Sequence, residues 1–250
     1  MQLHFTDQGS GEPIVFIHGW CLNSDYWLYA EAEFISTNRV ICVDLPGFGR
    51  TERPSTLFKF ADFADAVSEL LSALSLNNVT VVGFAFGAIV AIELAKRSPK
   101  AVRALCAIGL PEKDCMPYNR MPPAMRRDWP LFASKSAQAL LERTKSPETE
   151  RWLADMFRKT NLDWAMKTCL LMSEVSMADC VNGLNVPTLW VHSNIDPVSP
   201  PERMIPLLAG KADMEIIVLE AVGHAIPIDA STEFHTALRQ FMQKVTYVNH

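Results

Sequence analysis

The sequence has no C-x-x-C pair, no grouping of histidine with cysteine at metal-ligand spacing, and no H-E-x-x-H. Nothing therefore implies a metal or cofactor. Positive charge is also short. The formal net charge is −5, which disfavours a nucleic-acid surface. The opening "MQLHFTDQGSGEP" has neither a basic leader nor a long apolar stretch, so it predicts neither a signal peptide nor a membrane span. No repeat or low-complexity segment stands out. The six cysteines are scattered, several of them inside apolar runs, as Cys42 in "RVICVDL" and Cys106 in "RALCAIG". They read as buried free thiols of a reducing compartment, and the expected location is cytoplasmic. What remains is an ordinary globular chain of 250 residues, 49% apolar and 20% charged, long enough for one large domain or one domain carrying an insertion.

Short apolar runs alternate with helical patterns. "PIVFIHG" (13–19), "RVICVDLPGFG" (39–49), "NVTVVGF" (78–84) and "VRALCAIG" (102–109) read as strands, joined again late in the chain by "VPTLWVHS" (186–193) and "MEIIVLE" (214–220). Between them "DYWLYAEAEFIS", "FADFADAVSELLSALS" and "FGAIVAIELAKRS" carry helical patterns, and "STEFHTALRQFMQKV" predicts a closing helix with Ser231 as N-cap. Strands apolar on both faces and spaced by helices predict an α/β fold, a mostly parallel sheet covered on both sides. Residues 112–185 differ. They hold helical patterns and no convincing strand, which predicts a helical cap on a core formed by 1–111 and 186–250. Within the cap, "SPETERWLADMFRKT" starts with Ser146 as N-cap and Pro147 in the first turn. Its stripe of Trp152, Leu153, Met156 and Phe157 is core packing by default, and a substrate wall only because of its place in a cap over the sheet's carboxyl edge.

The chemistry centres on "VTVVGFAFGAIVAIELAKRSP". A strand, then G-x-S-x-G, then a helix is a turn that lifts a nucleophile above a parallel sheet. Here the frame is Gly83-Phe84-Ala85-Phe86-Gly87, with alanine in the nucleophile's place. Two further features follow in the order such a site needs. "SNIDPVSPPE" puts Asp196 just after a predicted strand, and "EAVGHAIPID" puts His224 in a loop after the last one. An Asp orients the imidazole, and the imidazole takes a proton from a hydroxyl at position 85. "HGW" after the first predicted strand offers the Trp20 N–H, and the turn itself the Phe86 N–H, as donors to an oxyanion.

Each signal has a plainer reading. A lone G-x-A-x-G also fits a dinucleotide-binding turn, Asp196 an Asp-Pro turn former, and His224 a surface loop histidine. Their joint order, each after a predicted strand, makes coincidence the poorer account. "DLPGFGRT" tempts one toward a phosphate loop but lacks the lysine and spacing, so it reads as a structural turn. Cys21, near the oxyanion loop, is a conceivable substitute nucleophile with no base placed for it.

These features resemble the α/β-hydrolases along nearly the whole chain. Within them, "HGWCLNSDYW", "VDLPGFGRT", "KAVRAL" and "ERWLA" are similar to the pimeloyl-[acyl-carrier protein] methyl ester esterases of biotin synthesis. That resemblance implies a serine carboxylesterase acting on a carrier-bound acyl methyl ester. It makes Trp20, Trp152, Leu153 and Met156 candidates to line the acyl site, and Arg151, Arg158 and Lys159 candidates to meet the acyl-carrier protein. Positions 120–159 carry nine basic and five acidic side chains, which suits an acidic partner or, equally, a solvated helical face. A general small-acyl esterase, a C–C bond hydrolase and a non-catalytic binding protein stay open beside it. Ala85 is the departure from the family. The retention of Asp196, His224 and the oxyanion loop favours a serine replaced in a competent site over a natural binding protein.

Overall fold

The computed structural model describes residues 1–56 and 59–248. Its elements run β1 (Phe5–Gly9), β2 (Glu12–Ile17), a 3₁₀ turn (Ser24–Trp27), α1 (Leu28–Phe34), β3 (Asn38–Val43), α2 (Phe60–Ala73), β4 (Val79–Phe84), α3 (Phe86–Arg97) and β5 (Val102–Ile108). Then come α4 (Met121–Arg127), α5 (Trp129–Ala139), α6 (Pro147–Lys159), α7 (Leu162–Leu171) and α8 (Met177–Val181). The chain closes with β6 (Thr188–Ser193), α9 (Pro201–Leu208), β7 (Met214–Leu219), α10 (Ile226–Asp229) and α11 (Ser231–Val248). No helix among the described residues is long and apolar enough to cross a membrane.

One sheet orders these strands β1-β3-β2-β4-β5-β6-β7. Only β1 is antiparallel, paired with β3; every other neighbouring pair is parallel. The mostly parallel α/β sheet read from the sequence is the one observed. β4 is buried along its length, and α3 behind it is buried from Phe86 to Ile92. A helix apolar nearly all round belongs in the interior, so α3 is a central helix rather than a surface one. From β2 the chain steps outward to β3, then jumps back across β2 to β4. The loops leaving β2 and β4 therefore diverge, and a crevice opens between them at the carboxyl edge. The register pairs Ile17 with Gly83 and Phe84 with Ile108, so the segments that follow all leave from the same edge.

Three local expectations are corrected. β1 was not foreseen: "FTDQG" is a solvent-facing edge strand whose polar residues show no apolar run, and Arg39 grips its Asp7 with two hydrogen bonds of 2.9 and 2.6 Å. The run 39–49 is strand only to Val43. Leu45 and Phe48 are buried as anchors of a turn, closed by the Phe48 N–H on the Leu45 carbonyl at 2.9 Å. In α11, Ser231 is already helical, and the Phe234 N–H bonds to the Ala230 carbonyl at 3.0 Å.

Between β5 and β6 the described chain forms only helices. α6 starts as its sequence dictates: Ser146 Oγ accepts the Thr149 N–H at 3.1 Å, Pro147 opens the helix, and Arg158 and Lys159 close it. α7 is docked on the turn after β3. Trp164 Nε1 donates to the Pro46 carbonyl at 3.1 Å, and a Cβ on Gly47 would lie 2.2 Å from that nitrogen. The "DLPGFG" turn is a seat for this tryptophan.

Candidate active site

The turn between β4 and α3 is fixed by steric demand. Ala85 sits at φ 50°, ψ −110°, a conformation that side chains avoid and that costs about 1–3 kcal/mol unless its surroundings impose it. Its N–H bonds to the Ile108 carbonyl at 2.8 Å. A Cβ on Gly83 would fall 2.3 Å from the Gly87 carbonyl oxygen, and one on Gly87 would fall 2.3 Å from that of Ile17 and 2.4 Å from that of His18. Both glycines are thus required by backbone approaching backbone. The result is an alanine lifted above the sheet at the first turn of a central helix.

Asp196 follows β6 and His224 follows β7. His224 Nδ1 lies 2.6 Å from Asp196 Oδ2, and Asp196 Oδ1 accepts the Val198 N–H at 2.9 Å. Burial alone would raise the Asp196 carboxyl, but the adjacent imidazole and these two hydrogen bonds outweigh it and hold the group below the usual carboxylate range. An ionised Asp196 makes Nδ1 the protonated nitrogen, which leaves the Nε2 lone pair available as a base. The ring is clamped on its other sides. It lies against Phe84 with centroids 4.9 Å apart, and a Cβ on Gly109 would come within 3.0 Å of its Cε1.

The loop carrying His224 is tied to the helical segment by one carboxylate. Asp229 accepts the N–H groups of Gly223 (2.6 Å), Glu142 (3.0 Å), Arg143 (3.0 Å) and Thr144 (2.7 Å), and the Thr144 hydroxyl at 2.9 Å. The Ala225 N–H adds a bond to the Leu140 carbonyl at 2.8 Å. Burial opposes the Asp229 charge, but those donors prevail and its carboxyl is lowered. Sequence reasoning missed this residue. Its only signal is an acid five positions after the loop histidine, and all its partners but Gly223 lie about eighty-five residues away.

Across the crevice, the loop after β2 is set by buried His18. Its Nδ1 donates to the Gly19 carbonyl at 2.7 Å, and Nε2 accepts the Leu45 N–H at 3.0 Å. Burial lowers its pKa despite nearby Asp44, so the ring stays neutral. The Trp20 indole crosses to α7, donating to the Ala165 carbonyl and the Thr168 hydroxyl, both at 3.1 Å. Among the described residues the Trp20 backbone N–H meets no acceptor, and the Phe86 N–H, first in α3, has none within its helix.

Trp20, Ala85 and His224 line one cavity of about 170 Å³, with Asp196 reached through His224. The rest of the wall is mainly apolar: Leu22, Phe84, Met116, Met121, Leu140, Phe157, Met172 and Val198, with Tyr118 and Ser136 beside them. The cap contacts drawn from the family resemblance need correction. Trp152, Leu153 and Met156 do not line this cavity. Leu153 and Met156 are buried and Trp152 is half-buried, one turn before Met156 on the same side of the helix. Phe157 provides α6's wall instead, five residues on from Trp152 and so well round the helix from it. The Phe86 side chain is buried among Phe48, Phe60 and Phe63 and does not line the cavity. Arg151 and Lys159 are exposed on α6; Arg158 is exposed too, but paired with Asp155 at 2.7 Å. Cys21 is buried, and burial pushes its thiol well above the ordinary range, the opposite of what a nucleophile needs. Among the described residues, no three His, Cys, Asp or Glu side chains are grouped to hold a metal.

Comparison with known proteins adds sequence and fold relatives. A family model described as alpha/beta hydrolase fold matches residues 12–168. The AB hydrolase superfamily protein YisY of Bacillus subtilis is 24% identical over 253 residues, spanning 96% of this chain and 94% of its own. The 2-hydroxymuconate semialdehyde hydrolase of Pseudomonas sp. is 26% identical over 266 residues, spanning 97% of this chain and 90% of its own. In fold, an esterase from Exiguobacterium antarcticum superposes with a TM-score of 0.89 at 22% identity, covering 96% of this chain and 95% of that one.

Proposed function

Because the chain belongs to the α/β-hydrolase family, we propose that its site is that of a carboxylic ester hydrolase of the serine type, with alanine standing where the nucleophile belongs. The observation that carries this reading is the convergence on one cavity of the left-handed turn at Ala85 and the imidazole of His224, itself bonded to Asp196 at 2.6 Å. A serine at position 85 gives its proton to His224 Nε2 as its oxygen attacks the ester carbonyl. The Trp20 and Phe86 N–H groups face the resulting oxyanion, a contribution of roughly 3–4 kcal/mol for each good donor. His224 then passes the proton to the departing alcohol, and water releases the acyl group by the same route. The retained Asp196, His224 and oxyanion loop fit a serine replaced in a competent site better than a natural binding protein.

The proposed substrate is the methyl ester of a pimeloyl chain carried by acyl-carrier protein. Two features support it. The cavity, about 170 Å³ and mainly apolar, is smaller than the roughly 300–1,000 Å³ of sites for drug-sized ligands, so it suits a slender chain. On the helical segment of this acidic chain, Arg126, Arg127, Lys135, Arg151 and Lys159 are exposed, as an acidic carrier would require. A second reading, C–C bond hydrolysis, is favoured by the relative named 2-hydroxymuconate semialdehyde hydrolase, which spans nearly the whole chain.

The carrier is tested in the Ala85→Ser background. Arg151→Ala should lower kcat/KM for methyl pimeloyl carrier protein about two- to five-fold at low salt, the range of an exposed charge contact, and added salt should erode the difference. A p-nitrophenyl ester should hardly notice the change. Equal losses on both substrates, without salt dependence, would remove the carrier from the reading.

A further inference from the structure

Alanine at 85 contributes a methyl group and no oxygen, yet every group that would serve an attacking oxygen is in place. Asp196 holds the His224 Nδ1–H at 2.6 Å, and among the described residues Nε2 has no partner. The ring packs on Phe84, with centroids 4.9 Å apart, and lies beside Gly109. Nε2 belongs to a side chain lining a cavity of about 170 Å³, which far exceeds the roughly 10–15 Å³ a water needs, and Tyr118 and Ser136 bring polar groups to the same wall. We infer that the chain as it stands is a general-base hydrolase: the Asp196–His224 dyad activates water for direct attack on an activated acyl compound, a thioester or an aryl ester.

The step balances without an acyl-enzyme. Nε2 takes one proton from water as the water oxygen bonds to the acyl carbon, and the carbonyl π pair moves onto its oxygen, facing the Trp20 and Phe86 N–H groups. When that pair returns, the bond to the leaving group breaks, and the group departs with its electrons as thiolate or phenolate. The proton on His224 goes to that anion or to solvent. One water is consumed, and an acid and a thiol or phenol are formed. The substrate class follows from the chemistry. Water attacking once, with no covalent intermediate to divide the barrier, demands a leaving group that departs readily, and simple alkyl esters do not provide one. The apolar walls, among them Leu22, Met116, Met121 and Phe157, call for an uncharged acyl chain. This inference rests on the assignment of Ala85, Asp196 and His224 to one site, but on neither serine nor a carrier protein.

The test uses the protein with Ala85, p-nitrophenyl butyrate and butyryl-N-acetylcysteamine, after treatment with a phosphonofluoridate that silences any serine hydrolase carried through purification. The expected rate is about 10²-fold above buffer, the low end of what a placed base supplies. It should lack a burst and leave no acyl adduct on the intact protein by mass spectrometry. His224→Ala and the closer mimic His224→Gln should both return the rate to background while their melting temperatures hold. Asp196→Asn should lower it without changing the absence of an adduct. A rate unchanged in both His224 variants, a rate no greater than buffer, or an acyl adduct on any residue would overturn the inference. Ala85→Ser run alongside separates the two readings. Activity there with none in the Ala85 protein leaves serine hydrolysis standing and sinks the dyad; the reverse pattern sustains the dyad and sinks the serine reading.

Discussion

The carboxyl edge of the sheet and the helical segment above it build the same cavity by different means. At the edge, positions are dictated by backbone against backbone. Gly83 and Gly87 are where they are because a single Cβ would collide with a carbonyl, and Gly109 holds a φ of 58° with the His224 imidazole close against it. In the helical segment, positions are set by side chains settling among one another: three methionines, a leucine, a tyrosine and a phenylalanine form most of the wall. Methionine and leucine exchange with little loss in such places, whereas a glycine whose added Cβ would fall 2.3 Å from a carbonyl oxygen exchanges with nothing. On the proposed reading the edge carries the reaction, and the helical layer the choice of substrate.

The comparison breaks first, and most severely, at His224. In the Ala85→Ser background, His224→Ala should cost about as much turnover as losing the serine itself, since groups acting as one unit are each useless alone. Steady-state kinetics on a p-nitrophenyl ester measures this. If His224→Ala kept most of the activity, the edge would not be a catalytic unit at all.

Asp229 tests the joint between the two regions. Asp229→Asn keeps the shape but loses the charge and sets an amide against a ring of N–H donors, and should destabilise the protein by about 3 kcal/mol at pH 7. The folded pKa of Asp229 is lowered. Its stabilisation is therefore fully present above the unfolded value of about 4 and fades as pH falls through the lower folded value. Urea midpoints measured from pH 7 downward should show the difference between Asp229→Asn and the parent shrinking only below about pH 4. A constant difference across that range would mean the charge is not what joins the loop to the helices.

The smallest effect should sharpen the division within α6. In the Ala85→Ser background, Phe157→Ala should cut kcat/KM for long acyl esters about 10- to 100-fold more than for acetyl, the range of a lost apolar contact. Trp152→Ala should change the two alike. A chain-length effect at Trp152 and none at Phe157 would put the wall back on the other face of the helix.

How much of this the sequence disclosed follows the same division. Six of the seven strands stood out as apolar runs because a parallel sheet covered on both faces needs them. β1 did not, since an edge strand reading "FTDQG" buries too little to leave a pattern. The run through 39–49 read too long because Leu45 and Phe48 are apolar for the sake of a turn. Ala85, Asp196 and His224 were legible together because their order and their places after strands are imposed by the sheet edge. Helical periodicity, by contrast, says which face of α6 is buried but not against what. Trp152 and Phe157 stand on opposite flanks of the apolar face read from the sequence, about 140° apart, and only the packing of the helical segment decides which flank reaches the cavity. Asp229 was invisible for another reason: its four backbone donors lie in segments about six and eighty-five residues away.

The most direct measurement is the turnover of a p-nitrophenyl ester by Ala85→Ser beside the chain with Ala85, both checked for equal melting temperature. The account predicts a gain of roughly 10³-fold or more, accompanied by an acyl-enzyme on residue 85 seen by mass spectrometry at early times. A folded Ala85→Ser protein with no gain in rate and no acylation would show that the turn between β4 and α3 is not the seat of a nucleophile.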